Sequence, residues 1–125
     1  MVIVGIGVDL VKVIRVEEAL ARFGTRFLYR CFTADERARC GSDPQRLAAR
    51  FAAKEAVGKA LGVGLKGLSW RDIEVIGDGG RPVVRLHGRA AVRALGLGVG
   101  RCELSLSHDG DYAIAFAVAV KEGLS

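Results

Sequence analysis

The stretch Arg50-Phe51-Ala52-Ala53-Lys54-Glu55-Ala56-Val57-Gly58-Lys59-Ala60-Leu61-Gly62 leaves the chain the least conformational freedom. Asp43-Pro44 supplies an N-cap followed by a proline at the first helical position, and Gly62 fits just past a C-terminus, so the spacing predicts one helix from Pro44 to Leu61. At about 100° per residue, Ala49, Ala53, Ala56 and Ala60 share a narrow stripe along which another element can lie close. Arg50 and Lys54 fall to one side of that stripe. Glu55 and Lys59 stack one turn apart on the other, so the polar residues do not make a single solvated face. A helix of this kind is a candidate wall of a site. The alternative for Glu55 and Lys59 is an i,i+4 surface pair worth about 0.2–0.5 kcal/mol.

A chain of 125 residues makes one domain, 1–125, with a core but no room for two halves. Half of it is hydrophobic and only two residues are proline, which argues against disorder. The formal charge of +5 points to an anionic partner. Nucleic acid is the weaker candidate, because aromatic residues are 6% of the chain and no RNA-recognition, zinc-finger or helix-turn-helix signature occurs. Cys31, Cys40 and Cys102 are odd in number and lack Cys-x-x-Cys spacing, so neither a disulfide framework nor a zinc site is supported. The first eight residues are apolar, but no basic segment precedes them and Asp9 ends the run, which fits neither a signal peptide nor a membrane span. A cytoplasmic protein is expected.

Val2 to Val8 alternates as a strand, with Val2, Val4, Ile6 and Val8 on one face and Ile3, Gly5, Gly7 and Asp9 on the other. The two glycines clear space beside Asp9, which is either the start of a turn or a metal ligand. Gly5-x-Gly7 lacks the third glycine of a dinucleotide fingerprint. Val13 to Phe23 has a helical pattern closed by Gly24, with Val13, Val16, Leu20 and Phe23 as its inner stripe. Arg15 and Arg22 lie on its outer face and Arg26 follows; they are either ordinary solvation or a basic docking surface. Thr33-Ala34-Asp35-Glu36 has the form of a capping box opening a short helix that stops near Gly41, and the cap accounts for its carboxylates.

Gly62-Val63-Gly64-Leu65-Lys66-Gly67 follows a helix C-terminus, whose dipole repels anions, so it is not a phosphate loop of the usual kind, although Lys66 could reach a phosphate. Asp72–Ile76 and Pro82–His87 read as two strands joined by a turn at Gly77-Asp78-Gly79-Gly80, and Arg89–Leu95 as a short helix ending at Gly96. Cys102 to Ser107 and Tyr112 to Val120 alternate as an antiparallel hairpin whose turn presents His108 and Asp109. A hard cation such as Mg²⁺ takes oxygen ligands, typically one or two carboxylates with phosphate and water completing the shell. Asp9 and Glu55 are the two acids with cleared surroundings, and Lys59 could add a point charge to a diphosphate held there. Phosphoryl-type transfer needs mainly positioning and charge neutralisation, which this set can supply.

Gly5-Ile6-Gly7-Val8-Asp9-Leu10, Arg50-Phe51-Ala52-Ala53-Lys54-Glu55-Ala56 through Lys59-Ala60-Leu61-Gly62, and Ser105-Leu106-Ser107-His108 resemble the three signature segments of the holo-acyl-carrier-protein synthases, the small bacterial class of 4′-phosphopantetheinyl transferases. The resemblance spans essentially the whole chain, and its middle segment is the specific one. It implies an α+β fold with a mostly antiparallel sheet packed against one long and several short helices. It also implies transfer of the phosphopantetheine arm of coenzyme A to a serine of an apo acyl carrier protein of fatty-acid or polyketide synthesis. Asp9 and Glu55 would bind Mg²⁺, and Lys59 would contact the phosphate chain. His108, Arg50 and Lys54 would hold coenzyme A, including its 3′-phosphate. Arg15, with Arg22 and Arg26 extending the patch, would meet an acidic helix of the carrier protein. A homotrimer with sites at the subunit junctions is expected, and Ala113, Ala115 and Ala117 either permit close sheet contact there or belong to an intramolecular core. Val11 stands where larger members carry a third metal-binding acid and Ala52 where they carry Ser, Thr or Cys, both traits of the small class. The general base is Glu55, a metal-bound water or Asp109, with the first two favoured. The rival readings are a coenzyme A or carrier-protein binding module without turnover and a basic nucleic-acid binder.

Overall fold

The computed structural model describes residues 1–77 and 80–122. In chain order these form β1 (Val2–Lys12), α1 (Val13–Phe23), α2 (Thr25–Cys31), α3 (Ala34–Cys40) and α4 (Pro44–Ala60). A single 3-10 turn, Trp70–Asp72, then leads into β2 (Ile73–Ile76), β3 (Val83–Leu86), α5 (Gly88–Leu97), β4 (Arg101–Asp109) and β5 (Tyr112–Lys121). The strands make a three-stranded sheet in the order β1-β5-β4 and a separate β2-β3 ribbon, antiparallel throughout. The expected α+β class with one long and several short helices is the architecture observed.

The long helix forms where its caps place it. The Asp43 side chain accepts from the backbone N–H groups of Gln45 and Arg46, and Pro44 occupies the first turn. Its small residues face the large sheet: Ala52, Ala53 and Ala56 are fully buried, and so are Ala113, Ala115, Ala117 and Ala119 on β5. The β5 alanines therefore belong to the intramolecular core. The opposite face of the same strand carries Ile114 and Phe116, which are 40% and 45% exposed.

Contact between α4 and β1 is backbone against backbone. A Cβ on Gly5 would stand 2.0 Å from the Ala60 carbonyl oxygen, and one on Gly7 would stand 2.0 Å from that of Ala56. The glycines clear space for the helix and not for a ligand, which corrects the sequence reading; the consequence is that Asp9, next on that face, arrives beside α4.

Other departures are local. β1 runs on to Lys12 because Leu10, Val11 and Lys12 find partners in Ile114, Ala113 and Tyr112. His108 pairs with Ala113 and Asp109 with Tyr112, so both lie in β4 and the turn is Gly110-Asp111. Phe23 is 46% exposed and not part of an inner stripe, because the chain turns at Gly24 into α2, and the inward aromatics come from Phe27 and Phe32. α5 extends to Leu97 with Gly98 as its left-handed cap, so Gly96 lies inside the helix. Two residues of the expected turn at Gly77-Asp78-Gly79-Gly80, Asp78 and Gly79, lie outside the described residues.

Candidate active site

Two pockets flank α4. The first, of about 360 Å³, is lined by Asp9 at the middle of β1, Arg15 and Val16 of α1, and Phe51 and Glu55 of α4. Asp9 and Glu55 thus come together across 46 residues of sequence because the glycines of β1 let the helix down onto the strand. Lys59 Nζ donates to Asp9 Oδ1 at 3.2 Å and to the Val8 carbonyl at 2.9 Å. Its side chain remains half exposed, so the ammonium bridges β1 and solvent and is not a simple i,i+4 partner of Glu55.

The electrostatics of this pocket strain toward a cation. Burial pushes the Glu55 carboxyl above its ordinary value, the charge of Asp9 pushes it further, and Lys59 opposes both. Two carboxylates facing one cavity, one of them held up in this way, form a donor set suited to a hard divalent ion that completes its shell with water and phosphate oxygens. Among the described residues no group of three or more His, Cys, Asp or Glu side chains gathers elsewhere or here. The set fits Mg²⁺, which tolerates few protein ligands, better than zinc.

The second pocket opens on the other flank of α4, between Arg46 and Arg50 of the helix, Val75 and Gly77 after β2, Pro82, and Leu106 and His108 of β4. Arg50 Nε donates to the Val75 carbonyl at 3.4 Å and NH2 to that of Gly77 at 3.1 Å, so its guanidinium is fixed at the wall while the side chain stays 94% covered. His108 faces the same cavity from the sheet. Asp43 lines it too, beside Arg46, so the wall sets two arginines and a histidine against one carboxylate, with Ala49, Pro82 and Leu106 as its apolar part, a setting for an anion attached to an apolar group.

Lys54 does not reach either pocket. Its side chain has no exposed surface, and its three N–H donors go to Glu36 Oε1 at 2.7 Å, the Trp70 carbonyl at 3.0 Å and the Ile73 carbonyl. The expected coenzyme A contact is therefore corrected: a lysine with three buried acceptors has no donor left for a ligand. Burial pulls its ammonium below the ordinary value, and Glu36 pushes it back in part. Arg15 is exposed at the rim of the acid pocket, whereas Arg22 and Arg26 are exposed further along, Arg22 lying over the Phe23 ring at 5.2 Å.

Sequence reasoning missed three contributors. Glu36 completes the expected capping box with Thr33, and that sufficient explanation hid its pairing with Lys54. Trp70 stacks on Phe51 with ring centroids 4.2 Å apart, backing the acid pocket from a loop that had no periodicity to read. Arg46 sits in the first turns of α4, where it reads as helix surface.

The large sheet crossed by one acid-bearing helix is the setting in which a model of the 4′-phosphopantetheinyl transferase superfamily matches residues 5–117, and the chain belongs to that superfamily. Its relatives narrow the class. It is 51% identical to the holo-[acyl-carrier-protein] synthase of Herpetosiphon aurantiacus, over 91% of this chain and 96% of that one. It is 53% identical to the enzyme of the same name from Desulforudis audaxviator, covering 94% and 93%. The crystal structure of Helicobacter pylori holo-[acyl-carrier-protein] synthase in complex with coenzyme A superposes with a TM-score of 0.82 at 33% identity, covering 92% of this chain and 99% of that one.

Proposed function

We propose that this chain transfers the 4′-phosphopantetheine group of coenzyme A to a serine hydroxyl of an apo acyl carrier protein, releasing adenosine 3′,5′-bisphosphate. The observation that carries the reading is the meeting of Asp9 and Glu55 in one pocket, in a chain half identical to holo-[acyl-carrier-protein] synthases along nearly its full length.

Asp9 and Glu55 would hold Mg²⁺, which would supply the positive charge that neutralises the diphosphate of coenzyme A. Lys59, already aimed at Asp9, adds a point charge on the phosphate chain. Arg50, fixed by two carbonyls, and His108 take the nucleotide end in the second pocket. The serine oxygen forms a bond to the phosphorus that carries the pantetheine. The bond from that phosphorus to the bridging oxygen breaks, and the electron pair leaves with adenosine 3′,5′-bisphosphate. We assign the serine proton to Glu55, whose carboxylate faces the pocket beside Asp9.

Arg15, at the rim of the acid pocket, is the inner edge of a basic surface for an acidic helix of the carrier protein, with Arg22 and Arg26 extending it. The chain assembles as a homotrimer through the outer face of the large sheet. Ile6, Val8 and Leu10 of β1 stand there beside Ile114 and Phe116 of β5, each 40% exposed or more, in cross-strand register. The thiols of Cys31 and Cys102 are in no disulfide, in keeping with a reducing cytoplasm. No helix among the described residues is long and apolar enough to cross a membrane.

The reading is tested by following adenosine 3′,5′-bisphosphate after mixing the protein with coenzyme A and Mg²⁺, with and without apo carrier protein. Release that requires the carrier supports the transferase. Tight coenzyme A binding without release supports the module that binds and does not turn over, and salt-sensitive RNA or DNA binding alone supports the nucleic-acid reading.

A further inference from the structure

The free edge of β2 is closed by side chains and not by a strand. In the β2-β3 ribbon Ile73 stands opposite Leu86 and Val75 opposite Val84, and the Asp72 carbonyl accepts from His87 N–H at 2.7 Å on the ribbon side. Backbone groups alternate along a strand, so those of residues 73, 75 and 77 point to the other edge. There the Ile73 carbonyl accepts from Lys54, the Val75 N–H donates to Glu36 Oε2 at 2.9 Å, and the Val75 and Gly77 carbonyls accept from Arg50. Glu36 and Lys54 are both fully buried and bonded to each other at 2.7 Å. Arg50 stands one helical turn before Lys54.

We propose that the Glu36–Lys54 pair is a positioning device for the cationic pocket: it sets the height of β2 along α4 and thereby the place of the Arg50 guanidinium. The pair touches neither pocket. It acts through β2, since the carbonyls of Val75 and of Gly77 just past its end anchor Arg50, and Gly77 lines the cavity together with His108. Lys54 also bonds the carbonyl of Trp70, whose ring stacks behind Phe51 of the acid pocket, but Asp9 and Glu55 themselves are brought together by the close seating of Gly5 and Gly7 of β1 on α4. Loosening β2 therefore alters the pocket assigned to the nucleotide end of coenzyme A and leaves Asp9 and Glu55 in place. The inference rests on the functional reading above.

The test is steady-state transfer by the full chain with coenzyme A varied, together with calorimetric binding of adenosine 3′,5′-bisphosphate. The variants are Glu36→Gln and Glu36→Gln combined with Lys54→Met. The first leaves an ammonium buried without its anion, which threatens the fold. The second removes both charges and keeps an amide oxygen for the Val75 N–H. In folded protein, judged by circular dichroism and urea midpoint, the expected result is a KM for coenzyme A raised roughly tenfold, with kcat within about twofold and bisphosphate affinity lowered in parallel. An unchanged KM and affinity in a folded variant overturns the proposal, as does a fall in kcat at constant KM. Failure of both variants to fold also overturns it, since the pair is then a stability element alone. A wild-type chain that shows no transfer overturns the functional reading before the variants are reached, so the two failures are distinguishable.

Discussion

At the scale of single residues, Glu55 stands at odds with its own stability. Its carboxyl is raised by burial and by the neighbouring Asp9 charge, so its folded value lies above its unfolded one. The stability this group contributes is present below the unfolded value and lost as pH rises through the folded value. At neutral pH the ionised side chain is thus a cost to the fold when no cation offsets it. Glu55→Gln should raise the melting temperature in EDTA while lowering Mg²⁺-dependent transfer by about 100-fold or more, and Mg²⁺ should raise the melting temperature of the wild type only. Calorimetry with and without Mg²⁺ checks both; a variant less stable than the wild type in EDTA would speak against this account of the site. Asp9 and Glu55 were legible in the sequence because an acid ending a glycine-bearing strand and an acid on a helix beside small residues each lack a packing reason. Lys54 was not. Adjacent to Glu55 and charged, it reads as a site residue, and only the buried Glu36 opposite it shows where its donors go.

Among elements, the contact that makes the site is α4 on β1, where two glycines stand in for side chains. Gly7→Ala should cost about 3 kcal/mol or more, because the new methyl meets a helix carbonyl that cannot move aside. The urea midpoint measures this, and transfer should fall with it as Asp9 is pushed from α4. The β2-β3 ribbon carries its own electrostatic lock. Burial alone would raise the Glu74 carboxyl, but hydrogen bonds from Thr33 and His87 and the charge of Arg85 outweigh it and hold the group below its ordinary 4.5. A depressed carboxyl contributes stability that is present above the unfolded value and lost as pH falls through the folded one. The stability gap between wild type and Glu74→Gln should therefore narrow from about pH 6 to about pH 3 in urea titrations, and a constant gap would refute the lock. Caps and periodicity made α4 and the β4-β5 hairpin readable to within a residue or two. Helix α2 and the ribbon's outer edge were not readable, since the first is a short segment set off by Gly24 and the second is closed by residues 19 to 39 positions away.

On the scale of the whole molecule, one face of the large sheet is closed by α4 and the other is apolar and open. The sequence shows the alternation of Ile114 and Phe116 with alanine but not which set is covered; packing against α4 takes the alanines because only they admit a helix so close. That leaves the larger side chains for a partner. If the proposed trimer forms through this face, Phe116→Glu should give monomers at micromolar concentration by light scattering, with transfer reduced at least tenfold, because a site at the proposed subunit junction would lose part of its wall. A monomeric wild type, or a monomeric variant with full activity, would refute the trimer. Transfer itself is read from the intact mass of a purified apo acyl carrier protein after incubation with this protein, coenzyme A and Mg²⁺. A gain of one phosphopantetheine group that disappears when EDTA replaces Mg²⁺ is expected. No gain from folded protein across several carrier proteins, or a gain indifferent to EDTA, would contradict it.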